Sequence, residues 1–240
     1  MRSKYIILAV ALITALFLTQ SGVAATETID FSSNSGATIT FTYAGSGSNA
    51  GANFTFLPNG TPASDFHITG ISGFTGSNVL NGLNGDIEGI FHFNNGDIDY
   101  GFFTEQAPVT GNGTFIIHDG NNHDFTAALV FNTILEDFSS EQLTYTGGVN
   151  LTNFQYSGSN AQLLQLANST NGSLEADFSF GYILGVDLND LSSYSKNGYS
   201  TCFDGQVTAT PSAVPEPGTY GLLMVGMLGL LGTVRRLRQS

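Results

Sequence analysis

Short runs of alternating apolar and polar residues fill most of the chain between positions 26 and 211. Residues 38–43 alternate Thr with Ile, Phe and Tyr, and residues 53–57 and 87–93 repeat the pattern. Alternation with a period of two places one face of a strand in a core, and clusters of Gly, Asn, Asp and Pro between the runs favour turns. The pattern predicts an all-β fold of short antiparallel strands.

Two turn sequences predict β-hairpins. Residues 94–97 (Asn-Asn-Gly-Asp) follow the apolar run 87–93 and precede the run 98–103. Residues 119–122 (Asp-Gly-Asn-Asn) separate a run that ends at His118 from one that begins at His123. Asn-Gly between apolar runs is the strongest short-range hairpin signal.

Apolar residues recur with helical spacing only at residues 161–167, which predict a helix of about two turns, and at 188–194, which could form one further turn. The remaining elements predict one antiparallel β-sandwich, jelly-roll-like and of about ten strands, over residues 26–211. Two smaller β domains that meet near residues 104–112 are the alternative. The expected sandwich would be flanked by an N-terminal signal helix and a C-terminal transmembrane helix.

Residues 1–25 have the organisation of a secretory signal peptide. Its parts occur in the required order: basic Arg2 and Lys4, an apolar stretch at 5–18, and small residues Val23 and Ala25 before the cut. We therefore expect the Sec machinery and signal peptidase as partners, with cleavage after Ala25. A retained N-terminal anchor is the alternative.

A second apolar stretch lies near the C-terminus. Residues 218–234 carry no charge, and Arg235, Arg236 and Arg238 follow at once. About 17 helical residues span roughly 26 Å, just enough for a bilayer core. Basic residues stay on the cytoplasmic side, so residues 26–211 are expected on the far side of the membrane.

The segment before this stretch carries a recognisable motif, Val214-Pro215-Glu216-Pro217-Gly218. Together with the apolar span and the arginines, residues 212–240 resemble the PEP-CTERM sorting signal. The resemblance implies processing by an exosortase, a membrane-embedded transpeptidase, after transient anchoring in the inner membrane. The same tail occurs on proteins named for ice binding. A proline-rich linker beside a plain membrane anchor is the alternative reading.

Charge separates the two ends from the middle of the chain. Of 19 acidic residues, all but Glu216 lie between residues 26 and 214, where Lys196 is the only Lys or Arg. The negative electrostatic field of these residues repels phosphate backbones and excludes nucleic acid as a partner. The same field favours solubility and the binding of cations. The lone cysteine, Cys202, has no intrachain disulfide partner and is expected to be buried as a small apolar residue.

Several acidic and histidine residues are candidates for weak metal binding. Asp86 and Glu88 face Asp97 and Asp99 if the hairpin at 94–97 forms, and such an acidic cluster attracts Ca²⁺. The second hairpin turn gathers a further set that is suited to a divalent ion: His118, Asp119, His123 and Asp124. No cofactor other than Ca²⁺ is suggested, and polar residues that cap exposed turns are the simpler interpretation.

No catalytic motif is present, since the chain lacks a nucleophile elbow, a phosphate-binding loop and a dinucleotide fingerprint. We therefore expect a non-enzymatic protein, sorted by an exosortase to the cell surface or the extracellular matrix. There it would be structural or adhesive, with exopolysaccharide as a possible partner. The alternatives are a glycan hydrolase that uses acids such as Glu88 or Asp99, and a lectin-like or ice-binding module with Thr38, Thr40 and Thr42 as an exposed ladder.

Overall fold

Antiparallel strands dominate the computed structural model, as the alternating sequence predicts. It describes residues 26–45, 50–58, 63–77, 79–137, 144–178, 186–193 and 198–211. These residues belong to one unit of the chain, Ala25–Pro211. The signal-peptide residues, the sorting motif and the apolar stretch 218–234 lie outside the described residues.

The strands of the described part follow one another with short connections. In chain order they are β1 (Glu27–Ser33), β2 (Thr38–Ala44), β3 (Gly51–Leu57), β4 (Phe66–Ser72), β5 (Asn84–Gly89), β6 (Phe91–Asn94), β7 (Asp99–Tyr100), β8 (Thr104–Pro108), β9 (Asn112–His118), β10 (Asp124–Asp137), β11 (Thr144–Gln155), β12 (Ser169–Phe178), β13 (Tyr199–Thr201) and β14 (Phe203–Pro211). Two short helices accompany them, α1 (Ala161–Ala167) and α2 (Leu188–Leu191).

Most strands belong to one large sheet that closes on itself. Its order is β11-β12-β14-β1-β4-β5-β9-β10, and β10 pairs again with β11 to complete the ring. Strands β8 and β7 extend the sheet from the far half of β10. A second sheet, β13-β2-β3-β6, packs against the first. The mainly antiparallel β fold is confirmed; closure of the larger sheet is a feature that the sandwich prediction did not include.

Phenylalanine side chains from both sheets form the core. Phe54 of the second sheet meets Phe131 of the first edge to face, with ring centroids 5.2 Å apart. Phe56 meets Phe203 in the same manner at 4.9 Å. All four rings are at most 5% exposed. Because each buried aromatic ring removes a large apolar area from water, these contacts account for a stable core without Trp or disulfides.

Strand β10 runs from the β9–β10 turn to the start of β8. Its first residues lie beside the β9–β10 turn and the end of β11, whereas Asp137 pairs with Thr104 at the start of β8. A strand of this length extends over about 40 Å. The turn between β7 and β8, with the exposed Phe102 and Phe103, is therefore far from the β9–β10 turn.

The β9–β10 hairpin and helix α1 form as predicted. The hairpin expected at 94–97 is wrong. Asn95–Asp97 is a 3-10 turn that carries the chain from the second sheet, where β6 pairs with β3, to the first, where β7 pairs with β8. The acidic residues of β5 and β7 therefore do not face each other.

Cys202 is exposed rather than buried. It lies in the connection between β13 and β14, and the inward position is taken by the next residue, Phe203. The shorter helix candidate forms only over α2. Among the residues described by the structure, no helix has the length and apolar character needed to cross a membrane.

Candidate functional site

The β9–β10 hairpin brings one histidine between two carboxylates. His118 Nε2 lies 2.8 Å from Asp86 Oδ2, and His118 Nδ1 lies 3.0 Å from Asp124 Oδ1. Only a protonated imidazole donates from both ring nitrogens. Partial burial works against the charge, but the hydrogen bonds and charges of Asp124 and Asp86 outweigh it and raise the pKa of His118.

These three side chains do not converge on one point, because the carboxylates occupy opposite nitrogens of the ring. Among the described residues, no group of three or more His, Cys, Asp and Glu is arranged to hold a metal ion. The other metal candidates are dispersed: Asp97 accepts a 2.9 Å hydrogen bond from Asn94 Nδ2, and Asp99 is exposed on β7.

Asp119 has a different role from its neighbour His118, because it organises the turn. Its Oδ1 accepts hydrogen bonds from the backbone N–H groups of Asn121 and His123, at 2.6 and 3.1 Å. Its Oδ2 accepts a 2.8 Å hydrogen bond from the Tyr156 hydroxyl. Burial opposes the charge, but these hydrogen bonds together lower the pKa of Asp119. Asp119 therefore ties the hairpin turn to the chain that follows β11, while the side chain of His123 stays exposed.

Tyr156 continues this connection to α1. The Asn160 N–H donates to the Tyr156 hydroxyl at 3.0 Å, and the Asn160 side chain caps the helix by accepting from Gln162 N and Leu163 N. Leu163 is fully buried, whereas Leu164 on the other face of α1 is 40% exposed. Capping and burial together fix the short helix beside the end of β11.

A bulge in β11 presents Phe154 and Gln155 next to Tyr156. The pairing of β10 with β11 shifts register between Thr126 and Ala128, and Asn153 opposite this shift has a φ of 54°. Positive φ is uncommon outside glycine, and β-bulges re-aim side chains. Phe154 is half-buried, with its ring centroid 5.9 Å from that of Phe125.

A shallow groove of about 470 Å³ lies between β10, the end of β11 and α1. Its lining residues are Asp124 and Thr126 of β10, Phe154 to Ser157 at and after the end of β11, and Leu164, Ala167 and Asn168 at α1. The groove thus combines aromatic faces with carboxylate and amide groups. The sequence holds no signal for Phe154 to Tyr156 as a site, because the bulge depends on pairing with β10.

One buried acid lies behind this site. Asp65 is 2% exposed, and its Oδ2 accepts a 2.8 Å hydrogen bond from Ile87 N. Its own N–H donates to Asp86 Oδ1 at 2.9 Å. Burial, with the charges of Asp86 and Glu88, raises the pKa of Asp65 to about 6. The backbone N–H of this buried residue thus connects the core to Asp86, the acid that contacts His118.

A second set of buried acids supports the fold at the other end of β10. Glu105 and Glu136 face each other on β8 and β10, and both accept from Leu188 N at the start of α2, at 3.2 and 3.0 Å. Burial and the charge of Asp187 raise the pKa of Glu105. These carboxyl groups position α2 over the sheet.

The two acids considered for hydrolysis are not neighbours. Glu88 on β5 lies opposite Thr114 of β9, and Asp99 on β7 lies opposite Gln106 of β8. Strands β9 and β8 pair with different halves of β10, at Ala128 for Thr114 and at Leu135 for Gln106, so the two acids are separated along its length. A glycosidase needs its two carboxyl groups within about 10 Å across one cleft. The pair named from the sequence therefore does not form such a site.

Comparison with known families concerns the C-terminal segment. Residues 213–239 match the model of the PEP-CTERM protein-sorting motif. The chain carries a PEP-CTERM sorting motif. The motif implies a secreted protein with transient membrane anchoring and an exosortase as its processing partner.

The match includes Val214 to Gly218 and the arginines Arg235 and Arg236, all of them outside the described residues. Neither the search of curated proteins nor that of solved structures found a match. The interpretation of the β unit therefore rests on its own geometry.

Proposed function

We propose that the PEP-CTERM protein, once exported, is a non-enzymatic component of the cell surface or extracellular matrix that binds polysaccharide. The groove between β10, β11 and α1 supports this proposal. Its aromatic rings offer flat apolar faces to pyranose rings, and Gln155, Asn168 and Asp124 offer hydrogen-bonding groups to sugar hydroxyls.

The observation that carries the proposal is that packing and hydrogen bonds hold the two aromatic side chains of the groove in place. The Tyr156 hydroxyl is fixed by Asp119 and Asn160, and Phe154 rests on Phe125 in the core. Side chains that are already ordered lose little conformational entropy on binding, which favours affinity in a shallow site. The groove is open to solvent rather than enclosed, so a bound sugar unit can belong to a longer polymer.

A hydrolase is the less suitable function for this groove. Asp124 is the only acidic residue among its lining residues in the described part of the chain. One oxygen of its carboxylate, Oδ1, contacts His118 Nδ1, and the nearby Asp86 contacts the other ring nitrogen. Two carboxyl groups that face one glycosidic bond are needed for hydrolysis, and the groove presents one.

The proposal is tested by measuring affinity for exopolysaccharide purified from the host. Phe154→Leu keeps the packing against Phe125 but removes the ring face, and Gln155→Ala removes an exposed amide. We expect each variant to weaken binding about fivefold to tenfold. Phe102→Leu is the matched control, because it removes an aromatic ring that is 88% exposed at the far end of β10.

Unchanged binding by both groove variants would contradict this site. Loss of binding by the Phe102→Leu control alone would transfer the function to the β7–β8 turn. If the wild-type protein binds no polysaccharide of its host, the proposed function itself is wrong.

A further inference from the structure

The charge around the groove limits which glycan it can accept. Asp124 is 45% exposed in its side chain and lies at the groove wall, with Asp86 and Asp119 close by. The described residues include no Lys or Arg, since Lys196 is outside them. A uronic acid or a sulfated sugar would thus meet negative charge, and no Lys or Arg of the described residues would pair with it.

His118 does not alter this conclusion. When protonated it carries one positive charge, but it lies between two carboxylates, Asp86 and Asp124. The set of three keeps a net negative charge whether or not the imidazole is protonated. The groove therefore favours a cationic or neutral group at every pH at which both carboxylates are ionised.

Two aromatic residues line the same groove as this carboxylate. Phe154 and Tyr156 line the groove with Asp124, and the faces of their rings are electron-rich. Ammonium groups bind both to carboxylates and to aromatic faces, and the two contributions act together when they share one site. A sugar ring placed along the aromatic residues brings a ring substituent to the carboxylate.

We propose that the groove selects glycans with free amino groups, with an ammonium group on Asp124 and the sugar ring along Phe154 and Tyr156. This inference rests on the proposed polysaccharide binding and names the class of polysaccharide. The amine supplies the charge that the groove lacks, and the ring supplies the apolar face. An N-acetylated sugar of the same length fills the same space without the charge.

The test compares three probes on the exported protein by calorimetry at about pH 5.5, where most of the glycan amines are protonated. The probes are chitosan oligomers with free amines, the N-acetylated oligomers of equal length, and alginate oligomers as the anionic class. We expect chitosan oligomers to bind about fivefold to tenfold more tightly than the N-acetylated ones. Alginate oligomers should not bind. The preference should weaken at about 0.5 M salt.

Two variants that each remove one negative charge distinguish the effect of the Asp124 carboxylate on binding from the effect of the overall surface charge. Asp124→Asn is expected to bind both chitosan and N-acetylated oligomers with the affinity that the wild type has for the N-acetylated form. Retained binding of the neutral oligomer shows that the variant is folded. Asp99→Asn removes the same charge at the far end of β10 and should keep the full preference.

If the wild type binds chitosan oligomers and N-acetylated oligomers with equal affinity, the inference is overturned, and polysaccharide binding is left intact. An equal loss of preference in Asp99→Asn and Asp124→Asn would also overturn it, because the field of the whole surface would then be responsible. Absence of binding to every probe and to the host exopolysaccharide would contradict the proposed function as well.

Discussion

Asp65 offers a sharp test of the structure, because it is a carboxyl group in the core that is held by few hydrogen bonds. Its Oδ2 accepts from Ile87 N, whereas Oδ1 is buried without a hydrogen-bond partner. The neighbouring charges of Asp86 and Glu88 disfavour its ionisation further. Asp65→Asn keeps the shape and the acceptor for Ile87 N, and removes the ionisation.

The magnitude follows from the raised pKa. The folded state holds the proton more tightly than the unfolded chain, so the stability contributed by Asp65 falls as pH rises between about 4 and 6 and stays lower above that range. A pKa raised from 3.8 to about 6 corresponds to about 3 kcal/mol of lost stability at neutral pH. The Asn side chain does not titrate and avoids this loss.

The assay is thermal and urea unfolding of wild type and Asp65→Asn between about pH 4 and pH 8. Any constant cost of the amide cancels when the two ends of the range are compared. The stability difference should shift by about 2.5 kcal/mol in favour of the variant from about pH 4 to pH 8, because part of the full effect of about 3 kcal/mol is already lost at pH 4, close to the unfolded-state pKa. For a unit of this size that amounts to a relative rise in Tm of roughly 5–10 °C.

Asp99→Asn is the control, since it removes an exposed acid and should follow the wild-type pH profile. Parallel profiles for Asp65→Asn and wild type would refute the reasoning, because the Asp65 carboxyl would then titrate as it does in the unfolded chain.

Three further predictions test packing, exposure and processing. Gly85→Ala should lose about 3 kcal/mol of stability, since a Cβ there meets the Ile116 carbonyl oxygen and the Phe66 ring; a normal urea midpoint would contradict the packing. Cys202 should react with a thiol reagent as readily in the native protein as in urea, and protection until unfolding would contradict its exposure. Pro217→Ala should retain the C-terminal tail by mass spectrometry, whereas normal trimming would argue against exosortase recognition of the motif.

The fold class follows from the sequence because alternation and turn chemistry are local. The β9–β10 hairpin and α1 form where the residues predict them. The Asn-Asn-Gly-Asp segment fails as a hairpin because its flanking strands find partners elsewhere, β6 with β3 and β7 with β8. Such pairing between distant strands, including the closure of β10 on β11, is not encoded in any short window.

The candidate site is likewise only partly predictable from the sequence. His118 and Asp124 were identifiable as neighbours across a predicted turn, and they are in contact. Asp86 joins them through the pairing of β5 with β9, which no local pattern predicts. Phe154 and Tyr156 reach the groove through a bulge and a hydrogen bond to Asp119, so their role depends on tertiary structure.

The most direct test of the central claim is a map of where polysaccharide binds. The isotope-labelled protein would be titrated with oligomers of the host exopolysaccharide while backbone NMR signals are followed. We predict shifts in the residues that line the groove: Asp124, Thr126, residues 154–157, Leu164, Ala167 and Asn168. Shifts confined to the β7–β8 turn around Phe102, or no shifts at saturating oligomer, would contradict it.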